Sequence, residues 1–376
     1  MKKIIYLDNN ATTQIAPEVL KAIINDNLPY NPSSFHTYGR KAKNLLIDAK
    51  NNIGNFLQTS PDNIIFTSGG TEAVNLAILG LTKNVNKKHF HIIASKIDHA
   101  CVYNTLQFLE KKGFEISYID INDYGAIKPE EIIKSIKKNT KLIVISAVNS
   151  ETGVKIDLEK ISKLAKENNI FLAVDGVALL GKEDFLIYPG ISTMAFSAHK
   201  IHGPKGIGLC YVNPKITFSP ILFGGTQENE KRAGTENLQG ILGFSKAIDL
   251  LKSKKNQDIS HMQKLKDHFE NILIKKLDNI QINGKGPRIC NTSNICFKGI
   301  DGESLLILLD QKGILASLGS ACSSNSLKPS RILLNMGHSI QEAKASIRFS
   351  FSKYNTLKEI DNAAKIIIKL VNKLKK

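Results

Sequence analysis

The chain has 376 residues, 51 Lys and Arg against 34 Asp and Glu, a net charge of +17, and 42% apolar residues. This composition is ordinary for a globular chain, excludes a disordered or fibrous one, and leaves room for about two or three domains. No apolar run approaches the roughly 18–20 residues that cross a bilayer, and the apolar stretch after Lys2-Lys3 ends at Leu7, too short for a signal peptide.

The first dozen residues are extended and rich in Thr and Asn, and can serve either of two domains. Between about 60 and 215, β-rich runs alternate with helical stretches. The runs are Ile64–Thr67, His91–Ser95, Ile116–Asp120, Leu142–Val148, Ile170–Asp175, Thr193–Ser197 and Ile207–Val212. Several are apolar at nearly every position, as strands buried on both faces must be. Helices such as Thr71–Leu81 and Leu158–Asn168 lie between them. The pattern predicts an α/β fold with a mostly parallel sheet, whose ligands sit beyond the carboxyl ends of the strands.

Four strand ends carry polar chemistry. Ile64-Ile65-Phe66-Thr67 runs into Ser68-Gly69-Gly70-Thr71 and then a helix. Two glycines allow a sharp turn and close approach, and a helix N-terminus favours an anion. This is a phosphate cradle or a glycine turn with Thr71 as N-cap; no Gly-Lys-Ser/Thr follows, which disfavours ATP. His99 follows the strand ending at Ser95 and suits ring stacking or proton transfer, or a structural role. Asp175 ends the strand Ile170–Asp175, where its carboxylate must pair, face a crevice or cap a helix. Lys200, in Ser197-Ala198-His199-Lys200-Ile201-His202-Gly203-Pro204, ends another strand. A half-buried amine there suits Schiff-base chemistry, and the alternative is a solvated lysine.

Past about 240 the texture changes to a long helix (240–278), short strands around Gln281–Ile282, Asn294–Phe297 and Ile347–Phe351, and helices near 302–312, 329–336 and 357–374. A smaller α+β domain is expected. The boundaries read 15–250 for the large domain, with 1–14 and 251–376 forming the small one. The five cysteines (Cys101, Cys210, Cys290, Cys296, Cys322) are odd in number, widely spaced and without Cys-x-x-Cys. That argues against a disulfide framework and a zinc site, and for a reducing cytoplasm. The lysines are spread along the chain, so the basic charge reads as a solvated surface, and nucleic-acid binding is not expected.

Taken in order, these residues resemble PLP (pyridoxal 5'-phosphate) enzymes of fold type I, in the class V aminotransferase group. The match is nearest to cysteine desulfurases of the NifS/IscS-like kind. The resemblance spans nearly the whole chain: Tyr6-Leu7-Asp8-Asn9-Asn10-Ala11-Thr12-Thr13, Asn31-Pro32-Ser33-Ser34, Thr67–Ala73, Asn149-Ser150-Glu151-Thr152-Gly153, Ser197–Gly206, Arg232-Ala233-Gly234-Thr235-Glu236-Asn237 and Gly319-Ser320-Ala321-Cys322-Ser323-Ser324. It implies that Lys200 bonds to PLP, Asp175 pairs with the pyridine nitrogen and His99 stacks on the ring. Gly70, Thr71, Ser197 and His199 would bind the phosphate, joined by Thr235 from a partner subunit in a homodimer. Asn149 would lie near the ring oxygen and substrate, and Arg348 would clamp the substrate carboxylate. Cys322, in a small and polar segment, would take the sulfur of L-cysteine as a persulfide. It would pass that sulfur to an acceptor protein for iron–sulfur clusters, thio-cofactors or thiolated tRNA. No metal is implied, and Cys101 is expected to pack behind His99.

The chain departs from the family's Asp-Ala-Val-Gln-x-x-Gly-Lys at Asp175-Gly176-Val177-Ala178-Leu179-Leu180-Gly181-Lys182. Ala178 replaces the glutamine that donates to the ring oxygen, a loss of about 1–3 kcal/mol. Asp98 stands for the usual glutamate. Three alternatives stay open: a selenocysteine lyase, another class V enzyme, and a less active paralogue serving as a sulfur-transfer scaffold.

Overall fold

The computed structural model describes residues 4–25, 30–319 and 328–375. Its strands are β1 (Ile5–Tyr6), β2 (Ile64–Thr67), β3 (His91–Ser95), β4 (Glu115–Ile119), β5 (Thr140–Ser146), β6 (Phe171–Asp175), β7 (Thr193–Ser197), β8 (Gly208–Val212), β9 (Ile280–Ile282), β10 (Thr292–Phe297), β11 (Ile314–Leu315) and β12 (Ser346–Ser350). Seven form one sheet in the order β2-β8-β7-β6-β5-β3-β4. Only β8 runs against its neighbours, so the mostly parallel sheet expected from the sequence is present. β3 and β7 are buried at every residue, which explains their lack of apolar–polar alternation. The carboxyl ends of β2, β3, β5, β6 and β7 share one edge, and the chemistry-bearing residues follow them.

Two differences from the sequence reading have local causes. β5 stops at Ser146, two residues short of Val148, because the chain turns there: Asn149 Oδ1 accepts from the N–H groups of Glu151 and Thr152, both at 3.0 Å. The side chain thus takes over from the sheet ladder. The helix expected near 329 begins at Arg331, because Ser330 is its N-cap and accepts from Leu333 N.

The remaining strands build a second layer. β12-β10-β9 form an antiparallel sheet, and β1 pairs in parallel with β11. The amino-terminal segment reaches both layers: Asp8 bridges to Ser350, while Thr13 N donates to His199 O at 3.0 Å. The helix Leu238–Lys276 runs between the two cores. Ile241, Phe244 and Ile248 pack in the first core, and Leu265, Phe269 and Leu273 in the second. The final helix, Leu357–Leu374, has a Thr356/Glu359 capping box. It buries Ile360, Ala363, Ala364, Ile367 and Val371, the spacing of one helical face.

Phe349 is fully buried in β12, 5.0 Å from the Phe269 ring and 6.5 Å from that of Phe297. Phe349→Ala is expected to cost about 3–5 kcal/mol, since the surrounding rings cannot collapse into the space. A fall in the urea midpoint measures it; a loss below about 1 kcal/mol would mean that this core is loosely packed.

Candidate active site

The phosphate cradle is built from backbone. Gly69 has φ +152°, a conformation that glycine alone adopts readily, and it caps the helix Gly70–Thr82 without any side-chain hydrogen bond. A Cβ on Gly70 would lie 3.0 Å from Val177 Cγ2 and 3.3 Å from Ser197 Cβ. The helix start therefore presses against the end of β7. Thr71 sits in the first turn and is exposed; it is not the N-cap. Beside this start the Ser197 hydroxyl is buried, with no hydrogen-bond partner among the described residues. An uncapped helix N-terminus next to an unpartnered buried hydroxyl fits a phosphate. Glu72, one residue on, faces away: Arg232 Nε and Nη2 hold its oxygens at 2.8 and 3.1 Å. Burial opposes its charge, but Arg232 and Ser68 N–H outweigh it and lower its pKa.

Lys200 lies on the tight turn Ala198–Lys200 after β7. Its Nζ donates to the carbonyls of Asn10 and, at 3.0 Å, Ala11. The amino-terminal segment also holds the turn through Thr13, whose Oγ1 donates to His199 O at 2.8 Å. Asp175 ends β6, and its Oδ1 accepts from Val177 N at 2.9 Å. Burial pushes its pKa up to about 6, against the pull of Val177 N–H and the Lys200 cation. Asp98, also buried, is pushed up to about 6 by desolvation and by Asp175, while Ser146 N at 2.9 Å and Ser95 hold it down. Of these two carboxylates Asp175 lines the cavity, where a buried carboxylate that resists ionisation fits a cationic ring nitrogen.

The cavity encloses about 100 Å³. Of the residues expected from the sequence, Gly70, Thr71, His99, Asp175, Ala178 and Lys200 line it. The others stand elsewhere. Ser197 backs Gly70. His199 bonds Thr12 Oγ1 through Nδ1 at 3.2 Å, and burial with the nearby lysines pushes its pKa down to about 4. Asn149 is engaged by its own turn and by Ile97 O at 3.1 Å. Thr235 is exposed. Arg348 is 2% exposed; it pairs with Asp8 at 2.9 Å and donates to Ser150 O at 3.1 Å. Cys322 lies outside the described residues.

The structure adds lining residues that the sequence reading did not single out, among them Ser146 and Lys182. Ser146 pairs in register with Asp175 across β5 and β6, and looks like any strand residue in the sequence. Lys182 is 6% exposed and donates to Lys200 O at 3.2 Å; burial lowers its pKa. Cys101 corrects an expectation: it lines the cavity itself, with Sγ 3.0 Å from His99 Nδ1. Cys210 and Cys290 are buried thiols with pKa pushed up by burial, for Cys290 to about 11. Cys296 lies inside β10 and is buried. Among the described residues no helix is long and apolar enough to cross a membrane, and no cluster of metal-binding side chains occurs.

Comparison with known proteins agrees with this geometry. The sequence profile of the aminotransferase class-V family matches residues 5–363. The cysteine desulfurase IscS of Dictyoglomus turgidum is 37% identical, over 100% of this chain and 96% of its own length. A cysteine desulfurase of Trichormus azollae is 39% identical, over 99% and 94%. Among solved structures, a NifS-like protein superposes with a TM-score of 0.91 at 31% identity, covering 99% of this chain and 100% of its own. SspA in complex with cysteine gives 0.83 at 31% identity, over 95% and 100%. The chain belongs to the aminotransferase class-V family, whose cysteine desulfurases are PLP-dependent enzymes of this fold.

Proposed function

We propose that the protein is a cysteine desulfurase that releases L-alanine from L-cysteine and takes the sulfur onto Cys322. The carrying observation is the convergence of Lys200, Asp175 and His99 on one cavity, whose Gly70 wall leaves the Ser197 hydroxyl buried and unpartnered. Gly70, Thr71 and Ser197 would hold the phosphate of PLP, Asp175 the ring nitrogen and Lys200 the carbonyl carbon. PLP, when bound, supplies an electron sink for the pair left at the substrate α-carbon.

The residues do the rest. Lys200 removes the α-proton, helped by carbonyl acceptors at Asn10 and Ala11 that orient its amine. Asp175, ionised, would keep a proton on the ring nitrogen. His99 would stack on the ring and move protons at the substrate. The Cys322 sulfur attacks the substrate sulfur: an S–S bond forms, the C–S bond breaks with its electron pair going to the substrate, and the substrate carbon takes a proton. The products are alanine and one persulfide. Arg348 binds the substrate carboxylate in this reading, for which it must share its guanidinium with Asp8.

The protein further reads as a cytoplasmic homodimer, with Thr235 completing the partner's phosphate site and an acceptor protein taking the sulfur. Phe35 and Phe223, 96% and 75% exposed, support a covering partner. A division at 15–250 against 1–14 and 251–376 has the two cores behind it in the main, although Ile289, Ile332, Leu333, Met336 and Ala343 pack in the first core. The test is the absorbance of the purified protein before and after L-cysteine, with alanine quantified and Cys322 weighed by peptide mass spectrometry. A visible band that changes, stoichiometric alanine and one added sulfur support the reading; no bound PLP overturns it. Faster turnover of L-selenocysteine would reassign the substrate.

Ala178 gives a prediction. It faces the cavity three residues after Asp175, with only a methyl to offer. Ala178→Gln is expected to raise kcat by about 3- to 10-fold, the part of one hydrogen bond to a charged oxygen that is stronger in the transition state. Steady-state kinetics check it; unchanged kcat with a shifted absorbance band would separate the ring contact from the rate.

A further inference from the structure

We propose that Cys101 is a positioning residue that fixes His99 as the tautomer protonated on Nε2. His99 is the N-cap of the helix Ala100–Lys111, and its ring serves as the capping group: Cys101 N–H donates to His99 Nδ1 at 3.2 Å. A backbone N–H can only donate, so Nδ1 is an acceptor. A neutral imidazole with an acceptor at Nδ1 carries its proton on Nε2.

The Cys101 side chain meets the same atom. Its Sγ lies 3.0 Å from Nδ1, and with Nδ1 an acceptor the thiol shares that nitrogen's single lone pair with the backbone N–H in a three-centre bond. A thiolate there would face a lone pair. A thiolate–imidazolium pair would put a proton on Nδ1 and break the cap to the Cys101 N–H. The two contacts come from one residue in the first helical turn, so they fix the ring plane as well as the tautomer. Cys101 and His99 line the same cavity as Lys200 and Asp175. In this arrangement His99 exchanges protons at the site through Nε2 and keeps Nδ1 for the helix. Cys101 stays a protonated thiol, a donor and not a sulfur carrier.

The role in catalysis rests on the proposed desulfurase reading, while the tautomer does not. The experiment is nitrogen-15 NMR of the holoenzyme labelled at histidine, with His99→Asn to assign the resonances. It is run on wild type, Cys101→Ser and Cys101→Ala, beside alanine-release kinetics. The expected wild-type signature is one protonated ring nitrogen, Nε2, and one unprotonated, Nδ1. Cys101→Ser, which keeps a donor, is expected to retain that signature and kcat within about 2-fold. Cys101→Ala keeps the backbone N–H on Nδ1 but loses the thiol, so it is expected to admit a minor Nδ1-protonated population, read as a partial shift of the ring resonances, and a kcat lower by about 3- to 10-fold with KM unchanged, the scale of one hydrogen bond. Two protonated nitrogens in wild type would establish the ion pair and overturn the proposal. So would alanine and serine variants with the same wild-type ring signature. Inertness towards cysteine with the expected ring signature would reject the desulfurase reading and leave the tautomer standing.

Discussion

Lys200→Ala is expected to lower alanine release by about 10⁴-fold and to remove the cofactor band near ~420 nm. The amine is the group that bonds to PLP and the base that takes the α-proton, and one substitution removes both. The fold should survive. Ala198 beneath the turn is fully buried, and the turn is held by Thr13 and by close packing at Gly203, where a Cβ would lie 2.8 Å from Ala198. The loss leaves the Asn10 and Ala11 carbonyls short of a donor, which costs about 1–3 kcal/mol unless water replaces it. Circular dichroism and cofactor absorbance separate the two effects. A variant that is folded yet keeps more than about 1% of the rate would place the reacting amine elsewhere. Lys182 is the other lysine lining the cavity among the described residues, and it would be the next to replace.

The sheet and its functional edge were legible because buried parallel strands leave unbroken apolar runs that end abruptly in polar residues. Ile64–Thr67, His91–Ser95 and Thr193–Ser197 match the strands residue for residue. What the runs hide is which polar side chains serve the backbone. Asn149, which the resemblance places near the cofactor ring, also organises the turn that ends β5. Arg348 stands out as a charge inside an apolar strand, but its partner Asp8 is 340 residues away and no local pattern connects them. Lys182 was visible in Gly181-Lys182; its contact with the Lys200 carbonyl depends on how two loops meet. Cys101 had a readable signal, two residues after a histidine that opens a helix, since an N-cap acceptor reaches that N–H. The proximity of the Asp98 and Asp175 carboxylates needed the register of β5 on β6, which places Ser146, the donor to Asp98, beside Asp175.

Asp175→Asn is expected to move activity and stability in opposite directions. The carboxylate is 8% exposed, and in the folded chain its pKa is raised to about 6 from an ordinary value near 3.8, chiefly by burial. An acid raised on folding holds its proton more tightly in the native state than in the unfolded one. The cofactor-free protein therefore loses stability as pH climbs from about 4 through 6, and above that it carries the full penalty. Asparagine keeps an oxygen for Val177 N–H, at 2.9 Å in the wild type, and carries no charge. Cofactor-free Asp175→Asn should be more stable than wild type at pH 8 by about 1–3 kcal/mol, with the difference vanishing below about pH 4. Urea unfolding at the two pH values reads this directly, and equal stability at pH 8 would mean that Lys200 fully compensates the buried charge. In the holoenzyme the same change removes the anion that keeps a proton on the ring nitrogen, and kcat should fall by about 10²- to 10³-fold. The variant would then be the sturdier protein and the poorer enzyme. That combination is what a charge held against desolvation for the benefit of a bound cation must produce, whereas a purely structural carboxylate would lose stability on replacement.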